Sequence, residues 1–262
     1  MSRLWFAGII GTCLVVASSF SKGDDAILDE MLFPKKEAVV KIDAKTTATA
    51  HEIMTPCIPR KVKGTTLEVH TTKGWGWVER GQMMTAQEAE KYGPTHAKDA
   101  YGLFIRSAVH VVQAKPDKAL ADLDAALKLD PKLAPAFVSR GWLHVDRGDL
   151  DKGLADFIAS TKADPNDLQA ANNLAWFRAT CPKEKYRDGK LALAEATRVC
   201  EVTKYKHEEF LNTLAAACAE TGDFKSAVKW ATKAAEIVPG DEEFAAHVKL
   251  FKSGKPLRDD AK

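Results

Sequence analysis

The chain has 262 residues and a formal net charge of +2, from 38 Lys and Arg against 36 Asp and Glu. So even a mixture offers no concentrated basic face and argues against nucleic acid as a partner. The length suffices for two modest domains behind a targeting segment.

That segment comes first. Arg3 is the single charge before an apolar run from Leu4 to Val16, and Ala17-Ser18-Ser19 follows. A positive start, a short apolar core and small residues beyond it are the anatomy of a secretory signal peptide. The run is short of the about 20 residues that span a bilayer. Residues 1–19 are therefore expected to be cleaved, leaving an exported chain that begins near Phe20, periplasmic or extracellular and without stable membrane insertion. An uncleaved anchor is the alternative. Cys13 follows Ile10-Gly11-Thr12 in mid-core and makes a poor lipobox.

From about residue 30 to 92 the composition favours Val, Thr, Ile, Gly and Trp in short runs. Ala38-Val39-Val40-Lys41-Ile42, Glu52 to Pro59, Thr65 to His70 and Gly76-Trp77-Val78 are such runs. Runs of about five residues split by turn formers point to a small β barrel. Lys35-Lys36 and Arg60-Lys61-Val62-Lys63 read as solvated edge strands. Trp75 and Trp77 are two apart and share one strand face, as core or as a contact surface.

This stretch resembles the bacterial Src-homology-3-like (SH3-like) domain. Thr65-Thr66-Leu67-Glu68-Val69-His70, then Lys73-Gly74-Trp75-Gly76-Trp77-Val78, then Met83-Met84-Thr85 carry the resemblance, which covers the stretch from 30 to 92. In that family a hairpin leads into a Gly-Trp-Val strand and a short turn closes the barrel. The acidic loop and paired tyrosines of the polyproline-binding versions are not evident.

Beyond residue 98 the chain is rich in Ala, Leu and Lys, and it repeats. Pro131 and Pro165 recur at the same interval as Leu123 and Phe157, and as Ser107, Gly141 and Ala175. A fixed period of about 34 residues marks stacked units, each too small to bury its own apolar face. The pattern resembles the tetratricopeptide family over roughly residues 97–253. The first repeat carries Leu103, Ser107 and His110, then Ala119, Leu123, Ala126 and Pro131. The second carries Phe137, Gly141 and His144, then Gly153, Phe157, Ser160 and Pro165. The third has Leu174 and Ala175, then Ala192, Ala196 and Val199. The fourth has Leu211, Leu214 and Ala215, then Ala227, Ala231, Ala234 and Pro239.

Gly148-Asp149-Leu150 and Gly222-Asp223-Phe224 are the same turn, two repeats apart. Their spacing exceeds two periods, so the third repeat holds six extra residues. Cys181 to Tyr186 is the expected site, because Pro182 stops a helix. The expected units are four repeats within 97–240, near 100–133, 134–167, 168–207 and 208–240. A capping helix over 241–253 follows, with Phe244, Val248 and Phe251 on one face. A polar tail over 254–262 follows, of which Arg258 to Lys262 are expected to fray. The expected fold is thus an SH3-like β barrel followed by an all-α tetratricopeptide solenoid.

Little suggests catalysis. The chain lacks a Gly-x-Ser-x-Gly, a Walker loop and a His-Glu-x-x-His. His110 and His144 recur at a position where the family packs an aromatic, with no Cys or carboxylate evidently placed to complete a metal site. Asp122 and Asp124, or Asp149 and Asp151, read as surface and capping residues. Cys57, Cys181, Cys200 and Cys218 show no CxxC; the register spreads the last three over different levels, as buried free thiols. Thr180-Cys181-Pro182 with His207 falls on different turns. No cofactor or metal is expected.

The resemblance implies a groove lined by one side of each first helix. Counting one on from the small column gives Ala108, Trp142, Trp176 and Ala216. Counting back three gives Phe104, Val138, Asn172 and Asn212. Each pair is i, i+4 and shares a helix face. The lysines of the family's carboxylate clamp are absent from these positions. Phe104, Val138, Trp142, Asn172, Trp176 and Asn212 are the expected peptide contacts, and Trp75 and Trp77 the contact face of the barrel. The resulting expectation is a non-enzymatic exported adaptor for a protein or peptide. The alternative is a peptidoglycan-binding cell-wall module with the repeats as spacer or dimerisation element. A third reading is an enzyme subunit that positions a catalytic partner.

Overall fold

The computed structural model describes residues 31–50, 57, 59–71, 74–95 and 98–259. The expected signal peptide and most of the run from Glu52 to Pro59 lie outside them. The chain divides into two compact units at Arg140/Gly141.

Among the described residues the first unit has seven strands: β1 (Leu32–Pro34), β2 (Val39–Lys41), β3 (Thr47–Thr49), β4 (Lys61–Lys63), β5 (Thr66–Thr71), β6 (Gly74–Glu79) and β7 (Met83–Thr85). Five form an antiparallel sheet in the order β3-β2-β6-β5-β4, and β1 pairs with β7 separately. The Lys-rich β4 is the edge of the larger sheet, where charged side chains deter pairing with other chains. β5 and β6 are fully paired from Thr66↔Glu79 to Thr71↔Gly74. Val40, Leu67, Val69 and Val78 are buried and form the apolar side. Gly76 is required where β6 meets β2, because a Cβ there would lie 2.5 Å from Val40 Cγ1. A 3-10 turn at Arg80–Gln82 leads from β6 into β7.

Residues 86–92, expected within the barrel, are instead helical: α1 covers Ala86–Thr95. Its start is a capping box. Glu88 accepts the Thr85 N–H at 2.7 Å, and Thr85 Oγ1 accepts the Glu88 N–H at 3.2 Å. Next come α2 (Ala100–Val112), α3 (Pro116–Leu129) and α4 (Ala134–Asp146), which carries the division. Tyr101 of α2 donates its hydroxyl to Pro34 O at 3.1 Å, tying helix to sheet.

The second unit adds α5 (Leu150–Ala163), α6 (Leu168–Thr180), α7 (Gly189–Val202), α8 (Glu208–Glu220), α9 (Phe224–Ile237) and α10 (Glu242–Lys252). Aspartates cap several starts: Asp167 accepts the Gln169 and Ala170 N–H, Asp188 that of Leu191, Asp223 that of Ser226, and Asp241 that of Phe244. Each such cap contributes about 1 kcal/mol. Phe157, Ala192, Ala196, Val199, Ala227, Ala231 and Ala234 are at most 1% exposed. Three residues join α2 to α3, α4 to α5 and α8 to α9, but eight join α6 to α7. The insertion was expected wholly at 181–186. Five of the six extra residues lie between α6 and α7, and the sixth lengthens the link from α7 to α8.

Candidate functional site

The expected groove residues of the second unit are on α4, α6 and α8, and they have different fates. Trp142 is 3% exposed, packs edge-on against Phe157 at 4.9 Å and donates its indole N–H to Asn173 Oδ1 at 2.6 Å. Trp142, expected among the peptide contacts, is therefore packed as a core residue. Asn173, adjacent to the residue singled out, is its partner.

Asn212 is also committed within the fold. Its Oδ1 accepts from His247 Nδ1 of α10 at 2.9 Å. Burial pushes the His247 imidazole down to about 4, with Asp241 opposing the shift, so the ring is neutral and donates. Asn172 differs. It is 7% exposed and its Oδ1 has no hydrogen-bond partner. An unpaired buried acceptor costs about 1–3 kcal/mol. Trp176, one turn on, is half-buried, with its ring 6.2 Å from that of His247. In the first unit, Phe104 is buried and Val138 half-buried.

One further turn along the same faces are Asp146, Thr180 and Glu220, spaced like Trp142, Trp176 and Ala216. The segment after α10 reaches them. Asp259 accepts the Trp176 indole N–H at 2.9 Å and donates its own N–H to Thr180 O at 2.9 Å. Arg258 Nη1 is 2.6 Å from Glu220 Oε2. Leu257 packs on the core cluster. Leu257 to Asp259 are docked, although Arg258 and Asp259 were expected to fray.

Glu220 is held for this contact by the insertion. Arg187 donates Nε–H to Glu220 Oε1 at 2.8 Å and Nη1–H to Cys181 O at 2.9 Å. Like charge gathers nearby. Desolvation and then Asp259 push Asp146 up to about 6, although its side chain keeps access to water. Burial, Asp241 and Asp259 push Glu243 up to about 7.

Elsewhere the structure pairs what the sequence left single. His110 Nε2 is 3.5 Å from Asp122, and His144 Nε2 is 3.9 Å from Asp156. The two carboxylates are themselves one repeat period apart, so the histidine–aspartate pair recurs with the repeat. That signal was readable from the period. Arg106 also donates to Asp122, at 2.8 Å from Nε. Among the described residues no cluster of three or more His, Cys, Asp or Glu could hold a metal. Cys57, Cys181, Cys200 and Cys218 are buried, and the last three are free thiols.

Trp75 and Trp77 are half-buried and alternate with the buried Gly76 and Val78, on the face away from the apolar side of the sheet. Trp75 stacks on His70 at 4.7 Å with Arg60 4.2 Å above its ring. Burial and then Arg60 push His70 down to about 4. Burial works against the charge on Glu68, yet Arg60 and Lys61 hold its carboxyl below the usual range.

No family model and no curated protein matches the chain. Solved structures do. TTC0263, a thermophilic TPR protein of Thermus thermophilus, aligns at a TM-score of 0.52 and 14% identity, over 64% of this chain and 88% of that one. The pilF protein of Pseudomonas aeruginosa aligns at 0.51 and 15% identity, over 59% and 68%. At such identity the likeness is one of fold. A small β region with two sheets precedes tetratricopeptide-like helical repeats. No helix among the described residues is long and apolar enough to cross a membrane.

Proposed function

We propose that this chain is a non-enzymatic exported adaptor that binds an extended peptide of a protein partner along its first helices. In this reading an SH3-like barrel precedes four repeats over 97–240, and residues 1–19 are removed on export. In the second unit Asn172 and Trp176 are the peptide contacts, with Trp142 and Asn212 supporting them from within the fold; in the first unit Phe104 and Val138 are the contacts.

Asn172 carries the reading. A buried, partnerless amide oxygen beside a half-buried tryptophan is costly in the free protein. A peptide N–H satisfies it at once. The test uses peptides selected from a random library on the wild-type chain. Asn172→Leu removes the orphan acceptor and is expected to leave the melting temperature unchanged or higher. It should also lower the affinity of the selected peptides at least tenfold. Equal affinity for both chains overturns the assignment.

One observation favours a second reading, in which the barrel binds peptidoglycan. Trp75 and Trp77 sit together on the outer face of the sheet, with Arg60 over Trp75. Retention on purified sacculi that is lost in Trp77→Ala supports it; equal retention of both chains refutes it.

A further inference from the structure

We propose that Leu257-Arg258-Asp259 is an intramolecular stand-in for the partner, and that the peptide displacing it has the same order: an apolar, a basic, then an acidic residue. This rests on the peptide-binding reading of the same helix face and names the ligand class.

The segment does not lie on the surface at random. Its contacts include side chains or carbonyls at one register position, that of Asp146, Thr180 and Glu220, on successive first helices. Asp259 bonds Trp176 and the Thr180 carbonyl on α6, and Arg258 pairs with Glu220 on α8. Asp259 also raises Asp146, at that position on α4. Each residue of the segment meets a different chemistry. Leu257 meets the alanine-rich core cluster. Arg258 meets a carboxylate whose side chain is 14% exposed, braced from behind by Arg187. Asp259 meets an indole N–H. The backbone takes part as well, through the Asp259 N–H. These are the contacts of an extended peptide ligand.

Two features make the occupant removable. Its acidic residue sits in a field of like charge from Asp146 and Glu243. The Asn172 acceptor, one turn from Trp176, stays unsatisfied while the segment is docked. A longer partner that reaches Asn172 gains a hydrogen bond the segment does not make.

The receiving site also explains the insertion. Arg187 lies in the eight residues between α6 and α7, and it fixes Glu220 while holding the Cys181 and Pro182 carbonyls.

The probe is a fluorescein-labelled peptide of sequence Pro-Leu-Arg-Asp-Asp, added to three full chains: wild type, Arg258→Glu and Asp259→Asn. Arg258→Glu sets two carboxylates against each other and frees the face. Asp259→Asn keeps an acceptor for Trp176 and removes the repulsion. The peptide should bind Arg258→Glu at least tenfold more tightly than wild type, and Asp259→Asn more weakly than wild type. Amide exchange at residues 257–259 should be faster in Arg258→Glu and slower in Asp259→Asn. One affinity for all three chains overturns the stand-in while leaving the face a peptide site. Expected exchange with no binding to any chain overturns the partner class and the peptide-binding reading, but not the docking of the segment. A peptide with Arg and the following Asp exchanged should bind at least tenfold less tightly; equal binding overturns the order of residues.

Discussion

Gly141→Ala should destabilise the second unit, against the usual effect of such a change inside a helix. Replacing an interior glycine by alanine normally gains about 1 kcal/mol. Here the new Cβ would lie 2.8 Å from Phe157 Cε1 and 3.2 Å from the Gly153 carbonyl. The ring cannot swing aside. It is fully buried, with Trp142 at 4.9 Å and Phe177 at 5.3 Å. Overpacking of this kind costs about 1–3 kcal/mol, so the net loss is about 0–2 kcal/mol once the helix gain is subtracted. Urea unfolding followed by tryptophan fluorescence and circular dichroism reads it. The cause is isolated by a cycle with Phe157→Leu, in which Gly141→Ala should be neutral or stabilising, giving a coupling of at least about 1 kcal/mol. A stabilisation of about 1 kcal/mol in the wild-type background, or additive behaviour in the cycle, would refute the packing argument.

Ala114 occupies the turn position of Gly148 and Gly222 and has a φ of 54°. Ala114→Gly should therefore stabilise the first unit by about 1 kcal/mol, the left-handed penalty of a Cβ, and an unchanged urea midpoint would count against it. Between pH 6.5 and 8 stability should fall, because Glu243 at about 7 holds its proton in the fold more tightly than unfolded. That contribution is complete below the usual glutamate range and lost as pH rises through 7. Asp146 at about 6 adds the same sign lower down. His247 acts oppositely, removing stability as pH falls from 6.5 towards 4. Glu243→Gln should flatten the upper limb in thermal melts from pH 6.5 to 8, and a slope equal to wild type would refute the assignment. Burial pushes the Cys200 thiol up to about 12 and Cys218 up to about 11. Iodoacetamide at pH 8 should label neither in the folded chain within the time that labels both in urea, as read by peptide mass mapping.

The helical repeats were legible because packing imposes a period. Ser107, Ala175 and Ala215 are at most 1% exposed, as are Ala119, Leu123 and Ala126 on the facing helix of the first repeat. Small and large residues at a fixed interval leave that trace directly. The turn at Gly222 was legible for another reason: its φ of 85° admits few other residues. The site was less so. Trp142 and Trp176 occupy the same register position, yet one bonds Asn173 and the other Asp259. Hydrogen bonds to non-repeating residues decide that difference, and no period reports them. The docked segment was missed because Leu257-Arg258-Asp259 reads as polar tail by composition. Its contacts are distant in the chain, with Asp259 meeting Trp176 across most of the second unit. The helix at 86–95 was announced by Thr85 and Glu88, three apart, a capping signature hidden beside the strand pattern before it.

If the face binds a peptide as proposed, the short tether between α10 and Leu257, Ser253 to Pro256, sets a threshold for that ligand. A segment held on so short a leash is present at the site at millimolar effective concentration. Contacts with an intrinsic dissociation constant of about 0.1 mM would then keep the face covered roughly nine-tenths of the time or more. The apparent affinity of a competitor falls by the open fraction. Weak, adventitious peptides are thereby screened out, while a longer ligand that also satisfies Asn172 crosses the threshold. On that reading, selectivity is set by four residues of leash as much as by the side chains of the face.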